Sequence, residues 1–149
     1  MKPERENKIN LGKMTAEDMD MLAERSPGYV LLWAAKLLTP ERLDWCAERE
    51  PRTALMCCAD RLTPERLDKC AEVVGPEDAL ECAAKLLTAE RLDKCAEAEP
   101  WDALHYAAKL LTPERFDWCL EEIGPQDALE YYPKLLTPER RKKCEEAVK

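Results

Sequence analysis

The stretch "LTPERLDKCAE" begins at Leu62 and returns as "LTAERLDKCAE" from Leu87 and as "LTPERFDWCLE" from Leu111. The threonines that open each unit are Thr15, Thr39, Thr63, Thr88, Thr112 and Thr137, spaced by 24, 24, 25, 24 and 25 residues. Prolines in mid-unit, at Pro27, Pro51, Pro76, Pro100 and Pro125, keep the same rhythm, and Pro3 stands 24 residues before Pro27. A fixed period of this size constrains the fold more than any composition. Each unit is too small to bury an apolar face alone, so units must stack on their neighbours.

Two helices per unit are predicted. The first half, Thr-Pro-Glu-Arg-Leu-Asp-x-Cys-Ala-Glu, opens with a good N-cap and places proline at the first helical position. Glutamate in the first turn complements the positive end of the helix dipole. Leu43, Cys46 and Ala47 fall at i, i+3 and i+4, one face of a helix. The second half restarts at proline, as in "PEDALECAAKLL", where Leu80, Ala83, Ala84 and Leu87 make one stripe. Each half runs about ten residues, about 15 Å of helix, a length that needs neighbours to hold it.

The prediction is an all-α fold, a right-handed α-solenoid of short antiparallel helix pairs. Residues 1–14 form an N-terminal capping half unit, residues 15–38, 39–62, 63–87, 88–111 and 112–136 are the repeats, and residues 137–149 form a C-terminal capping helix, all in a single domain. Both ends are more polar than the middle. In "TPERRKKCEEAVK", Arg141 stands where other units have Leu or Phe, and Lys142 where they have Asp. Polar outer faces cap an array, so the array is expected to be whole.

The unit "LTAERLDKCAEAEPWDALHYAAKL" resembles short two-helix tandem repeats. It shares the logic of the armadillo and HEAT repeats, whose units are longer, and is nearer in length to the leucine-rich-repeat-variant family. That resemblance covers nearly the whole chain and implies an α-helix and a shorter helix per unit. Some members of that family also carry an iron–sulphur cluster in a separate cysteine-rich region, and this sequence has no such region. No functional residue carries over.

Composition narrows the function classes. The chain is 46% hydrophobic and 36% charged, with four glycines and one phenylalanine, as suits helices. Its net charge of −8 argues against tracking a phosphate backbone and against docking on an anionic membrane. The N-terminus "MKPERENKINLGKM" has no apolar signal core. The longest apolar run, Tyr29 to Ala35, is too short to span a bilayer. The expected setting is the cytoplasm, where eight cysteines read as thiols.

Cys46, Cys70, Cys95, Cys119 and Cys144 each sit seven residues after the unit's threonine, where the first unit has Leu22. Helices stack about 8–10 Å apart, too far for a column of one cysteine per unit to form disulfides or to converge on a zinc ion. The position is read as a small core hydrophobe. Cys58 is read as core, and Cys57 and Cys82 as a flanking column. No metal site and no cofactor are expected.

Catalysis is not expected either. Ser26 and His105 are the only serine and histidine. They lie three units apart, which stacking turns into about 25–30 Å. A Cys-His pair involving Cys82 lacks a third group, and no glycine-rich phosphate loop occurs. Glu41, Glu65, Glu90 and Glu114 recur in register, as solvated faces do. Glu65–Lys69, Glu90–Lys94 and Glu139–Lys143 are predicted helix-supporting pairs.

Function is sought where the repeat breaks its own rule. One varying column is Met21, Trp45, Lys69, Lys94, Trp118, Lys143, off the apolar stripe and therefore expected at the surface. Trp45 and Trp118 there are either interface anchors or satellite core lying over a neighbouring helix. A second column is Trp33, Cys57, Cys82, Tyr106, Tyr131. Large residues at its ends and small ones between predict a shallow depression, edged by Met56, His105, Glu81 and Glu130. This face either receives a peptide or partner helix, or serves packing between units. Pro133, where other units have alanine, predicts a helix stop near Tyr131.

The resulting expectation is a non-enzymatic scaffold that binds a protein or peptide through Trp45, Trp118, Trp33, Tyr106, Tyr131 and His105. The alternatives are an acidic inhibitor that mimics nucleic-acid charge, against which the interleaved Arg42, Arg66, Arg91 and Arg115 count, and an engineered or orphan array without a natural ligand.

Overall fold

The computed structural model describes residues 11–149; among these, eleven α-helices follow one another and no strand occurs. Threonine-capped helices α1 (Ala16–Arg25), α3 (Pro40–Arg49), α5 (Pro64–Val74), α7 (Ala89–Ala98), α9 (Pro113–Ile123) and α11 (Pro138–Ala147) are the longer set. They alternate with α2 (Pro27–Trp33), α4 (Pro51–Cys58), α6 (Pro76–Ala83), α8 (Pro100–Tyr106) and α10 (Pro125–Tyr131). Each helix packs on the next in sequence. Like helices also meet across units, as α4 meets α6 and α6 meets α8, so the chain is an all-α helical repeat array. Of the predicted capping half unit, residues 1–10 lie outside the described residues, and Leu11–Lys13 is one 3-10 turn.

The local chemistry recurs unit by unit. In all six longer helices the threonine hydroxyl accepts the backbone N–H three residues on, at 3.1–3.3 Å. Thr15 and Asp18 complete a reciprocal capping box. The long and short helices meet at one residue that serves both. Glu50 donates its N–H to Cys46 O at 2.9 Å, and Glu50 O accepts from Ala54 N at 2.9 Å. The proline that follows has no N–H to leave unpaired.

The alternation of 24 and 25 residues has a local cause. The junction is Ser26, Glu50 or Glu99 in the shorter units, with φ between −144° and −128°. In the longer units α5 and α9 run one residue further, and the junction is Gly75 or Gly124, with φ of +92° and +91° and ψ of 169° and 156°. The extra residue rotates the exit from the helix, and only a conformation essentially reserved for glycine returns the chain to the start of the short helix.

The second half of each unit is not the single ten-residue helix predicted. One residue leaves the helical region in each of the five units, namely Ala34, Cys58, Ala83, Ala107 and Tyr132, with φ between −144° and −125°. In the first four a 3-10 turn follows, at Ala35–Leu37, Ala59–Arg61, Ala84–Leu86 and Ala108–Leu110. The break re-aims the chain toward the next threonine cap while the apolar stripe stays inward. Helix α10 does stop at Tyr131, but α2 and α8 stop at the equivalent Trp33 and Tyr106 without a proline. Pro133 therefore does not cause the stop; it stands where the other units begin their 3-10 turn.

The core runs along the array as columns. Val30, Ala54, Ala79, Ala103 and Ala128 are fully buried, beside Leu31, Leu55, Leu80 and Leu104. The longer helices add Met19, Leu43, Leu67, Leu92 and Phe116, with Cys46, Cys70, Cys95 and Cys119 one turn on. Helix α11 buries nothing, in keeping with Arg141 at the Leu/Phe position.

A ladder of ion pairs runs along the longer helices. Arg42, Arg66, Arg91, Arg115 and Arg140 reach back to Asp20, Asp44, Asp68, Asp93 and Asp117 of the preceding unit, at 2.6–3.0 Å. The three inner rungs are bidentate, with second bonds of 2.8, 3.1 and 2.7 Å. The matched planar fork fixes both spacing and rotation between units. The guanidinium hydrogen bonds hold the carboxyls of Asp44, Asp68 and Asp93 below the usual carboxylate range. These carboxylates keep 39–47% side-chain exposure, so solvent limits each rung to about 0.2–1 kcal/mol.

Two predictions follow from this geometry. Gly75→Ala and Gly124→Ala should each lose about 1–3 kcal/mol, with no clash to blame because an added Cβ meets nothing within 4 Å. Gly28→Ala, inside α2 at ordinary contact with Glu50, should gain roughly 0.5–1 kcal/mol; denaturant melts check both signs. The ladder's contribution is fully present above the unfolded aspartate pKa of about 3.9 and is lost as pH falls through the lower folded values. Urea stability should therefore be flat from about pH 7 to 5 and drop below about pH 4. An Asp44→Asn/Asp68→Asn/Asp93→Asn variant should start lower and lose less.

Candidate functional site

The two columns singled out in the sequence fall on different elements and have different surroundings. Trp45 and Trp118, on α3 and α9, are half-buried rather than exposed, and each packs on the apolar core. The Arg49 guanidinium lies 3.5 Å from the centre of the Trp45 ring and donates to Trp45 O at 3.1 Å. The ladder arginines Arg42 and Arg115 lie over Trp45 and Trp118 at 5.2 and 4.8 Å. Each indole thus covers a rung, a cation–π arrangement within the chain. Where the column is Lys69 or Lys94 the side chain is exposed. Of the predicted helix-supporting pairs, Lys94 meets Glu90 at 3.1 Å; Glu65–Lys69 and Glu139–Lys143 are not within 4 Å.

The cysteine column is buried from Cys46 to Cys119, and Cys144 half-buried. The thiols of Cys70 and Cys119 point to the carbonyls of Ala47 and Ala96 in the preceding unit at 3.6 and 4.0 Å, and Cys58 to Leu31 O at 3.5 Å. A small side chain with a weak donor lets the helices approach and addresses the backbone across the gap. Burial pushes the thiols of Cys58 and Cys119 up to about 11 and raises those of Cys46, Cys70 and Cys95.

The second column lies on the short helices and is open. Trp33 is 68% exposed, Tyr131 60% and Tyr106 42%. Cys57 is exposed and Cys82 half-buried. The depression on this face runs from the middle unit into the C-terminal half of the array. An open hollow of about 540 Å³ lies between Tyr106 and Tyr131, with Leu104, Leu110 and Leu135 as apolar lining and His105, Lys85 and Lys109 beside them. A second hollow of about 400 Å³ adjoins it across Tyr106 and Lys85, lined by Leu80, Glu81, Cys82 and Leu86. At the equivalent of Leu86 and Leu110, Arg61 turns away and donates to the Ala35 carbonyl.

The aromatic wall is braced. The Tyr131 ring stands edge-on to Trp101 at 5.6 Å. Tyr132 lies 5.9 Å from Trp101 and donates its hydroxyl to Trp101 O at 3.2 Å. His105 meets Tyr106 edge-on at 4.5 Å. Partial burial, with Glu81, Asp102 and Glu77 nearby, raises the Tyr106 phenol above its usual range. The structure thus gathers Tyr106, Tyr131 and His105 at one hollow. Trp33 occupies the equivalent place three units away, and Trp45 and Trp118 belong to the other helix set. Sequence reasoning missed Trp101, Lys85 and Lys109; Tyr132 shows there, with Pro133, as a break in the repeat but without a part in the site. The lysines were detectable as a column, Lys36, Lys85, Lys109 and Lys134, interrupted by Asp60.

No protein-family model matches the chain, and no curated protein or solved structure is significantly similar to it. The helical repeat array is therefore not assigned to a repeat family. No helix among the described residues is long and apolar enough to cross a membrane.

Burial orders the thiols by reactivity. Brief alkylation at pH 8, read by peptide mass spectrometry, should label Cys57 first. Cys58 and Cys119 should react only on unfolding. Early labelling of Cys119 would contradict the buried column.

Proposed function

We propose that the chain is a non-enzymatic scaffold, a right-handed solenoid of antiparallel helix pairs, that receives a protein or peptide segment on the face of its short helices. The observation that carries this reading is the open aromatic column: Tyr106 and Tyr131 flank an apolar hollow and present phenol groups to solvent. Aromatic residues with polar tips are the residue type that anchors interfaces. Trp45 and Trp118 are the weaker anchors in this reading, because an arginine of the chain already lies over each ring and each packs on the core. The reading places the protein in the cytoplasm, with its thiols reduced.

A second reading, an acidic inhibitor occupying a basic site, gains support from the ladder. Arg42, Arg66, Arg91 and Arg115 are engaged inward, so they oppose less of the exposed glutamate charge of the long helices than their number suggests. Binding abolished by moderate salt and indifferent to the tyrosines would favour that reading.

The test compares two double variants. Tyr106→Ala/Tyr131→Ala should abolish capture of the partner while costing less than about 1 kcal/mol per site. Trp45→Ala/Trp118→Ala should keep capture and lose about 1–2 kcal/mol per site, read by calorimetry. The reverse pattern would move the site to the long helices.

A further inference from the structure

We propose, resting on the reading of the short-helix face as a binding surface, that the hollow between Tyr106 and Tyr131 receives an acidic peptide segment: a bulky apolar side chain on the Leu110 and Leu135 lining, with an adjacent carboxylate held by Lys85 and Lys109.

Charge is the first argument. The chain carries 31 acidic against 23 basic residues, yet this hollow is lined by two lysines and a histidine and by no carboxylate among the described residues. Lys85 and Lys109 are exposed and face no carboxylate within 4 Å among the described residues, whereas Lys94 and Lys142 each face a glutamate. A local reversal of sign beside an apolar lining is complementary to an acidic, apolar ligand and unfavourable to a basic one.

Placement is the second argument. Lys85 and Lys109 are the central residues of two successive 3-10 turns, Ala84–Leu86 and Ala108–Leu110, and each precedes a leucine that is 45% or 43% exposed. Cation and apolar contact therefore alternate along the edge. Glu77, Glu81 and Asp102, the carboxylates that act on Tyr106, stand on helices α6 and α8 rather than on the turns. They repel an acidic segment from the helical flank and leave it the turn flank.

Spacing is the third argument. The adjoining hollow beside Cys82 and Leu86, which carries Glu81 on its helical edge and Lys85 on its turn edge, lies one unit away, about 10 Å along the stack. A chain in the polyproline II conformation, with three residues per turn and about 3.1 Å per residue, covers that distance in three residues and returns its side chain to the same face. The fitting segment therefore has two apolar residues three positions apart with an acidic residue between them.

The test is a selection of displayed dodecapeptides on the folded chain at about 0.15 M salt, where repulsion from distant charges is screened. Lys85→Glu/Lys109→Glu and Tyr106→Ala/Tyr131→Ala variants of unchanged melting temperature run in parallel, and fluorescence anisotropy of the enriched peptides follows. Supporting the proposal, the enriched peptides carry Asp or Glu between apolar residues, and lose roughly tenfold or more in affinity on the lysine variant. Enrichment of neutral or basic peptides that still need the tyrosines would overturn the acidic segment and leave the binding face standing. Peptides that bind the parent and the tyrosine variant alike, or no enrichment at all, would overturn both.

Discussion

The rungs between Arg66 and Asp44, Arg91 and Asp68, and Arg115 and Asp93 set the frame for everything else in this molecule. Helices of seven to eleven residues carry little stability alone. Apolar stripes of Leu, Ala and Cys bring them together and supply most of the stabilisation, but burial itself is non-directional. A bidentate guanidinium–carboxylate pair is directional, because both oxygens and both nitrogens must meet in one plane. Three bidentate rungs, continued by a single-bonded rung at each end, hold each long helix at a set offset from the last, and the short helices follow.

That constraint divides the surface in two. On the long-helix side the interactive chemistry is directed inward. The arginines meet aspartates, Trp45 and Trp118 cover arginines, Phe116 lies 4.8 Å beneath the Arg140 guanidinium, and the thiols of Cys70 and Cys119 address carbonyls of the preceding unit. On the short-helix side it is directed outward. Trp33, Tyr106 and Tyr131 stand in solvent, and Lys85 and Lys109 meet no carboxylate within 4 Å among the described residues. A helical array needs a single side to register its units, which leaves the opposite side to vary, and the residues that vary most from unit to unit are found there.

How much of this is legible in the sequence depends on the range of the interaction. The caps at Thr39 or Thr88 and the buried columns depend on spacing within a unit, and periodicity reveals them. The 3-10 turns do not show, because a single departure of φ at Ala34 or Ala107 leaves the apolar stripe intact. The ladder was present as an offset that column-by-column reading passes over: arginine at the fourth position begins with Arg42, whereas aspartate two positions later begins with Asp20 and gives way to Lys142. Columns displaced by one unit are the mark of pairing between units. Missing that pairing is why Trp45 and Trp118 were expected at the surface. A depression on this face follows from small and large residues along one column, but its extension between Tyr106 and Tyr131 rests on Trp101 and Tyr132; Tyr132 breaks an alanine-rich column, whereas no periodic pattern points to Trp101.

The most direct measurement is a double-mutant cycle across one inner rung, Arg91→Met, Asp68→Asn and the pair together, by urea unfolding at low and high salt. The account predicts a coupling of about 1 kcal/mol that shrinks with salt, together with a loss of cooperativity in the single variants as the units on either side uncouple. Additive single effects with undiminished cooperativity would contradict it, and would leave the apolar columns as the sole bond between units.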